Sequence, residues 1–408
     1  MAALRPNRLP LLRQNLLALK NYLRILHMLV KPAADAHTLT IPAPLIDLAS
    51  QQLQQVQGMK HSKIVILLTP EFMYFQRPHT IVKEQAQIVR NLIPRAVFPK
   101  KLGFIELPYS QGPSFFTNLV IYHEIGHFVY EELANEATPH PDMIQLKIVS
   151  HRTLAKLFKE RQVFALAAKI IQDWIQEIFC DLFAIRLVGP AFSFALVETL
   201  GMLGLLSDAN IRLFKFSHPA PACRFAEHLH MLKNDLWWQE LRDMKASQKN
   251  LIEDFATVNR REYGFYAHET RVGSRGKRLI DGFLDSIVPA IRTLVQNITQ
   301  DPAGPVKRFA DTRQEIEDCF FAGIVPKTAR SSPDPISIIN TSFCFYLTSL
   351  QAVIKKFEGT KAENAVGVHS LWTKRLEMWT MKAIEDSQMQ SAFDRVRQTN
   401  LWSSQGQK

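Results

Sequence analysis

Three side chains in the segment His123-Glu124-Ile125-Gly126-His127 have the types and spacing of a metal-dependent hydrolytic centre. In a helix, residues four apart lie one turn above each other on one face, so both imidazoles can point at one ion. Glu124 is offset by about 100°, which keeps its carboxylate off the ion but within reach of a water beside it. The pattern predicts metal-assisted hydrolysis, in which the ion acidifies water and Glu124 accepts its proton.

Two histidines and one water leave a zinc site one protein ligand short. A metzincin would supply a Gly and a His three and six residues after the second histidine, where this chain has Tyr130 and Leu133. The sequence therefore excludes a metzincin site. The remaining solution for an HExxH helix is a glutamate from a later helix.

Glu177 and Asp181 are the only acidic residues between Trp174 and Val188, in a strongly apolar helical stretch. Buried carboxylates are costly unless a cation or a hydrogen-bond donor compensates them. The two residues share a helical face, so we expect Glu177 to be the third zinc ligand and Asp181 to accept the outer N–H of a liganding histidine. The alternative is an ordinary buried salt bridge, for instance to Arg186.

HExxH followed by ExxxD, with its Glu fifty residues after the second histidine, resembles the gluzincin metallopeptidases. The resemblance is to the group that contains the CAAX prenyl peptidases and the heat-shock membrane peptidases, and it covers about residues 100–235. A His-Pro element often follows the ExxxD helix in that group, and here His218-Pro219 is followed by Arg224.

The resemblance implies that His218 or Arg224 stabilises the oxyanion or holds the substrate backbone. The alternative is a proline-rich turn followed by a surface arginine. The membrane spans of the family are missing from this sequence. A peptidase without a transmembrane segment, acting on a protein or peptide substrate, is therefore expected.

Composition restricts the class of protein. The chain has 408 residues, 47% of them apolar, which is enough for two or three packed units. Its four cysteines form no CxxC pair, so neither a disulfide framework nor a thiolate metal site is expected, and a reducing, cytoplasmic location fits best. The net charge of +11 comes with no glycine-rich or aromatic-interleaved basic motif, so no nucleic-acid partner is expected.

The N-terminal segment has leucines at helical spacing from Leu12 to Val30. Arg13 and Lys20 interrupt the apolar run, so we predict no signal peptide. We expect an amphipathic helix that packs its leucines on the protein, and the alternative is a helix that contacts a membrane surface or a partner. The apolar stretches 191–206 and 335–354 contain too many polar residues for a span and are predicted to be buried helices.

The predicted fold class is mainly α with a small β-sheet: a zincin-like α+β catalytic domain plus a helical C-terminal region. Strands are expected at 63–69 and 102–107, a short helix at 45–56, and helices almost throughout from 113 to 236, with breaks at 138–142, 189–190 and 217–221. Strand 102–107 is expected at a sheet edge, where an extended peptide can bind. The predicted domains are 1–60, an N-terminal helical region; 61–235, the metallopeptidase domain; and 236–408, the helical C-terminal region.

Two functions follow from these features. The first is a zinc-dependent peptidase in which His123, His127 and Glu177 hold Zn²⁺ and Glu124 is the general base. The alternative is a non-catalytic zinc-containing or regulatory binding protein that acts through its helical C-terminal region. Five other histidines have no partner at metal-binding spacing and are expected to be surface or core residues: His151, His228, His230, His268 and His369.

Overall fold

The computed structural model describes residues 16, 17, 19, 20, 23, 42–69, 75–76, 101–108, 114–136, 138–266, 273–326, 333–359 and 366–405. By contact density the chain divides into two compact units. The first comprises Met1–Ile41 and His61–Pro113, and the second comprises Pro42–Lys60 and Ser114–Lys408. The predicted domain limits at 60 and 235 remain predictions, although a unit limit also falls between residues 60 and 61.

The first unit contains a three-stranded sheet in the order β1-β3-β2. Its strands are β1 (Ser62–Thr69), β2 (Phe75–Gln76) and β3 (Lys101–Pro108), which confirm the strands predicted at 63–69 and 102–107. β1 runs parallel to β3, with Ser62 opposite Lys101, and β2 runs antiparallel to β3. Buried Leu67 and Phe104 pack together on this sheet.

Two predictions for this unit are wrong. Strand 102–107 is not an edge strand, because β3 is central and pairs with β1 on one side and with β2 at Ile105 and Glu106 on the other. The predicted N-terminal helix lies mostly outside the described residues. Within it, Leu16, Leu19 and Leu23 are exposed, so the expected packing of these three leucines on the protein is not observed.

The second unit is helical. Its helices are α1 (Ala43–Gln55), α2 (Ile121–Asn135), α3 (Pro141–Leu157), α4 (Arg161–Val188), α5 (Pro190–Met202), α6 (Pro221–Asn234), α7 (Trp237–Glu240), α8 (Ser247–Ala256), α9 (Gly273–Gly282), α10 (Val288–Ile298), α11 (Ala303–Phe321), α12 (Pro335–Thr348), α13 (Leu350–Glu358) and α14 (Val366–Gln405). A 3₁₀ helix, Thr117–Val120, leads directly into α2. Two short parallel strands, β4 (Leu213–Phe214) and β5 (Gly264–Phe265), form a second sheet.

Proline or glycine stands at several of the helix limits. α3, α5, α6 and α12 begin at a proline, whose missing N–H costs nothing in the first turn. α4 ends at Gly189, which has φ +80° and separates α4 from α5, as predicted. The predicted breaks at 138–142 and 217–221 are also confirmed. The break between Leu157 and Arg161, where no proline or glycine stands, was not predicted.

The stretches predicted as buried helices largely are so. α12 is buried from Ile336 to Phe345, and α5 is buried except near its C-terminal end. The prediction for 191–206 is wrong at its end, because α5 stops at Met202, and Met202 and Leu203 are exposed. Within the described part of the chain, no single helix has the length and apolarity to cross a membrane; α12 and α13, bent by 67° to each other, meet that test only as a pair.

The predicted class, mainly α with a small sheet, is therefore confirmed at that level. α2 packs against α4, α6 packs against α4, and α14 packs against α12. The C-terminal residues beyond 235 belong to the same compact unit as α2 and α4. The helices that carry the predicted site residues therefore share one core with the C-terminal helices.

Candidate metal centre

The predicted histidines lie on α2 where it crosses α4. His123 is 6% exposed and Glu124 7% exposed, while His127 is half-buried. The two helices approach closely at Gly126: a Cβ built on this residue would lie 2.8 Å from the Cα of Cys180. The glycine within HExxH therefore permits the contact that brings the histidines of α2 up to Glu177 and Asp181 of α4.

Three potential ligand side chains form a small triangle at this crossing, through the Nε2 atoms of the two histidines and both carboxylate oxygens of Glu177. His123 Nε2 lies 3.2 Å from His127 Nε2 and 3.5 Å from Glu177 Oε2. His127 Nε2 lies 3.6 Å from Glu177 Oε1. The Glu177 side chain is only 11% exposed. The three groups predicted as ligands from their spacing are therefore brought together from two helices.

The size of this triangle fits a tetrahedral metal ion. Zn²⁺ binds imidazole nitrogen and carboxylate oxygen at about 2.0–2.1 Å, so two ligand atoms of a regular tetrahedron stand about 3.3–3.4 Å apart. The three closest separations between these side chains, 3.2, 3.5 and 3.6 Å, bracket that value, with a different Glu177 oxygen closest to each histidine. The donor set of two imidazoles and one carboxylate also matches the ligands that zinc prefers, so the residues fit the ion.

The two histidines differ in protonation. Burial lowers the pKa of His123, but hydrogen bonds to the carboxylates of Asp181 and Glu177 outweigh burial and raise it to about 10. Burial and the charge of His123 lower the pKa of His127 to about 4. The two Nε2 atoms lie within hydrogen-bond distance of each other, and a metal ion that binds both must displace any proton between them.

The Glu177 carboxylate is ionised. Burial raises the pKa of Glu177, but the hydrogen bond and the charge of His123 outweigh burial and hold that pKa well below its usual value. Glu177 therefore faces the histidines as an anion at neutral pH. An ionised carboxylate is the form that binds a metal ion.

Asp181 connects this triangle to α6. Its Oδ1 lies 2.9 Å from His123 Nδ1, the outer N–H contact that the sequence predicted for it. Arg224 donates to both carboxylate oxygens, from Nε to Oδ2 and from Nη2 to Oδ1, each at 2.6 Å. Burial opposes ionisation of Asp181, but the Arg224 charge and hydrogen bonds hold its pKa well below the usual range. Because Nδ1 of His123 is the donor to Asp181, Nε2 is the atom directed at the metal position.

Arg224 is buried at 6% exposure, and its Nη2 also lies 3.8 Å from Glu177 Oε2. The alternative of a surface arginine is therefore wrong. The alternative of a buried salt bridge to the acids of α4 is confirmed for Asp181, but its partner is Arg224 and not Arg186, which donates to Asp235 at 2.7 Å. Arg224 thus acts on the site through the acids of α4.

His228 is a component of the site for which the sequence predicts no role. It lies one turn after Arg224 on α6, is fully buried, and its Nε2 is 3.2 Å from Asp181 Oδ2. Neither ring nitrogen has a partner in hydrogen-bond geometry within the described structure. The spacing of Arg224 and His228 was the available signal, because residues four apart share a helical face.

His218 approaches the triangle from the loop before α6. Its Nε2 lies 3.5 Å from Glu177 Oε1, and its side chain is 46% exposed. Ser217 Oγ lies 2.7 Å from His218 Nδ1, and the loop is fastened to α4 by a 2.7 Å hydrogen bond from Trp174 Nε1 to the Lys215 carbonyl. Burial lowers the pKa of His218, which favours the neutral imidazole.

Cys180 is a second candidate for a ligand. Its Sγ and the two histidine nitrogens all lie within 4.8 Å of one another. Burial and the nearby charges of Glu177 and Glu124 raise the pKa of the thiol well above its usual value, which disfavours the thiolate that binds metals. Glu177, already ionised and at tetrahedral spacing, is the better third ligand.

Comparisons of this chain with family models, with curated proteins and with solved structures give no match. The site therefore stands on its own geometry. α2, α4 and α6 bring together His123, His127, Glu177, Asp181 and Arg224, and the loop before α6 adds His218.

Proposed function

We propose that this chain is a zinc-dependent peptidase of the gluzincin type, with His123, His127 and Glu177 as the metal ligands. The single observation that carries the proposal is the triangle of three ligand side chains, with closest separations of 3.2, 3.5 and 3.6 Å. A structural zinc site is closed by four protein ligands, whereas three leave one position for water and substrate. A zinc ion there would supply an acidified water and polarise the substrate carbonyl.

The chain's own residues perform the proton transfers in this proposal. Glu124 accepts the proton of the attacking water and delivers it to the leaving amine. The Nε2–H of His218 donates to the oxygen that gains negative charge in the transition state, since this side chain is open to solvent at the site. Asp181 holds His123 through Nδ1, and Arg224 holds Asp181, so both are positioning residues.

The substrate class in the proposal is a protein or peptide, with no nucleic-acid partner. A cytoplasmic location is part of the proposal, and its support is the free state of Cys180, Cys223, Cys319 and Cys344. Contact of the basic N-terminal segment with a membrane surface remains the alternative role for that segment.

The test is the Glu124→Gln variant. We expect it to bind zinc in the same one-to-one ratio as the wild type and to lose hydrolysis, because Gln cannot accept the water proton. The probe is a proteomic comparison of peptide fragments formed in a cell extract by the wild type and by the variant. Glu131→Gln, on the same helix, is the matched control and should cleave as the wild type does. Equal cleavage by Glu124→Gln would refute the assigned base.

A second function is favoured by one observation, the position of Cys180. If its thiolate binds together with both histidines and Glu177, four protein ligands close the site and the zinc is structural. The chain would then be a non-catalytic binding or regulatory protein that acts through its C-terminal helices. Metal binding without any fragment specific to the wild type is the outcome that this function predicts.

A further inference from the structure

The N-terminal end of the helix that carries His123 and His127 is held by a side chain from the C-terminal helix α14. α2 is preceded by the 3₁₀ helix Thr117–Val120, and neither start has a capping side chain at its N-cap position. The first N–H groups of such a segment lack partners within the helix and need acceptors from elsewhere.

Glu377 supplies the acceptor. Its Oε1 accepts a hydrogen bond of 2.7 Å from Ser114 Oγ and one of 3.3 Å from the Phe116 amide. Ser114 Oγ in turn accepts from the Thr117 amide at 3.4 Å. A carboxylate at this position also complements the positive end of the helix dipole. Glu377 therefore caps a helix more than 250 residues before it in the chain.

The same place is packed from α12. The Phe116 ring lies 4.6 Å from that of Phe343 and 5.1 Å from that of Tyr346, between ring centroids. Glu377 itself is 6% exposed, so its bonds to Ser114 and Phe116 lie away from bulk water, where they are stronger.

Two contacts then fix α2 in place. Gly126 against Cys180 fixes the distance between α2 and α4 at the level of the histidines. α2 also packs along its buried face against α4, and the capping by Glu377 adds a constraint at its N-terminal end that limits tilt. Phe116 is seven residues, or about 10 Å of helix, from His123, so a tilt at one end displaces the imidazole at the other.

We propose that Glu377 is a positioning residue that fixes the tilt of the HExxH helix, so that the C-terminal region is a structural part of the metal site. This inference rests on the proposed function for its catalytic consequence only. Its structural content, that Glu377 sets the geometry of His123 and His127 against Glu177, is independent of whether the bond cleaved is a peptide bond.

The experiment uses the full chain loaded with Co²⁺ in place of Zn²⁺, because the visible spectrum of Co²⁺ reports the geometry of its ligands. We compare the wild type with Glu377→Ala, Glu377→Gln and Ser114→Ala. Glu385→Ala is the matched control, since Glu385 lies on the same helix and makes only an exposed ion pair with Lys382.

We expect Glu377→Ala to bind Co²⁺ with an altered visible spectrum, and its kcat to fall roughly 10- to 100-fold with little change in KM. Glu377→Gln retains an acceptor oxygen and should restore the spectrum. Ser114→Ala should show the same change to a smaller extent, which keeps the inference testable if Glu377→Ala does not fold. The wild-type spectrum and kcat in a folded Glu377→Ala protein would overturn the inference.

Amide hydrogen exchange provides a readout that needs neither metal nor substrate. In the Glu377 and Ser114 variants, faster exchange confined to residues 115–123 supports the inference. A uniform increase over all helices shows a general loss of stability and contradicts it. If the wild type binds no Co²⁺, the proposed function fails, and the exchange pattern alone still decides whether Glu377 positions α2.

Discussion

Arg224 donates two hydrogen bonds of 2.6 Å to the two carboxylate oxygens of Asp181. Both side chains are buried, and Oδ1 of Asp181 also lies 2.9 Å from His123 Nδ1. A bidentate charged pair of this kind has a defined orientation as well as strength. Three helices thereby determine the orientation of one imidazole: α6 holds α4 through Arg224 and Asp181, and α4 holds His123 of α2.

The Asp181→Asn variant tests this connection. The substitution removes the charge that compensates buried Arg224 and weakens the acceptor for His123 Nδ1. We expect zinc affinity to fall roughly 10- to 100-fold. The free energy of unfolding should fall by about 3 kcal/mol, because buried Arg224 loses its closest counter-ion. Metal titration and denaturant unfolding measure the two effects.

The control for Asp181→Asn is Asp243→Asn, whose carboxylate is 94% exposed. It should leave both quantities unchanged. Unchanged zinc affinity in Asp181→Asn would show that Asp181 does not position His123.

Gly126→Ala tests the close approach of α2 and α4. The added Cβ would lie 2.8 Å from Cys180 Cα, which is backbone and cannot rotate away, so the helices must separate. We expect a loss of about 1–3 kcal/mol in the free energy of unfolding, despite the better helix propensity of Ala. Zinc affinity should fall as well, because the histidines move away from Glu177.

Gly201→Ala on α5 is the matched control for this prediction. A Cβ there meets only the Leu206 side chain, at 3.8 Å. Alanine in an exposed helix end should be neutral or stabilise by about 0.5–1 kcal/mol. If Gly126→Ala were equally harmless, α2 and α4 would not be as close as the distances indicate.

Helical periodicity explains what the sequence could predict of the site. His123 and His127 stand four residues apart on α2, and Glu177 and Asp181 stand four residues apart on α4. Two acidic residues in an apolar helix need a cation or a hydrogen-bond donor nearby. These rules are local. They predict which residues share a helical face. The packing of α2 on α4 then brings the Nε2 atoms of His123 and His127 to 3.5 and 3.6 Å from the carboxylate oxygens of Glu177.

The partners that were missed come from contacts distant in sequence. Nothing near Glu377 in the chain indicates that it caps a segment beginning at Ser114, and the partner of Arg224 depends on how α6 lies across α4. The central position of β3 was missed for a similar reason: β2 has only two residues, too few for a pattern of alternating side chains.

Glu177 and Cys180 can be distinguished as ligands with Co²⁺. Thiolate bound to Co²⁺ gives an intense charge-transfer absorption in the near ultraviolet, which carboxylate and imidazole do not. We expect the wild type to lack that band, and Cys180→Ser to bind Co²⁺ with unchanged affinity. Glu177→Gln, which keeps the shape but loses the charge, should bind far more weakly. A thiolate band that disappears in Cys180→Ser would instead support the closed, structural site.

Glu198 should make stability depend on pH. Burial raises its pKa to about 7, with a smaller contribution from Glu377 and an opposing hydrogen bond from Tyr346. The unfolded value is 4.5, so between these values the folded state binds more protons than the unfolded state. The free energy of unfolding contributed by this group is therefore fully present below pH 4.5 and is lost as the pH rises through about 7.

The Glu198→Gln variant removes this titration, since Gln stays neutral and can still accept from Tyr346. Below about pH 4.5 it should match the wild type, and at pH 8.5 its free energy of unfolding should be higher by on the order of 2 kcal/mol. Denaturant unfolding across this pH range measures the difference, in which the other titrating groups cancel. Glu315→Gln, at an exposed position of α11, is the control and should show no pH-dependent difference. A difference in the free energy of unfolding that is the same at every pH would mean that Glu198 does not titrate in this range. The burial of Glu198 would then be compensated by donors other than Tyr346.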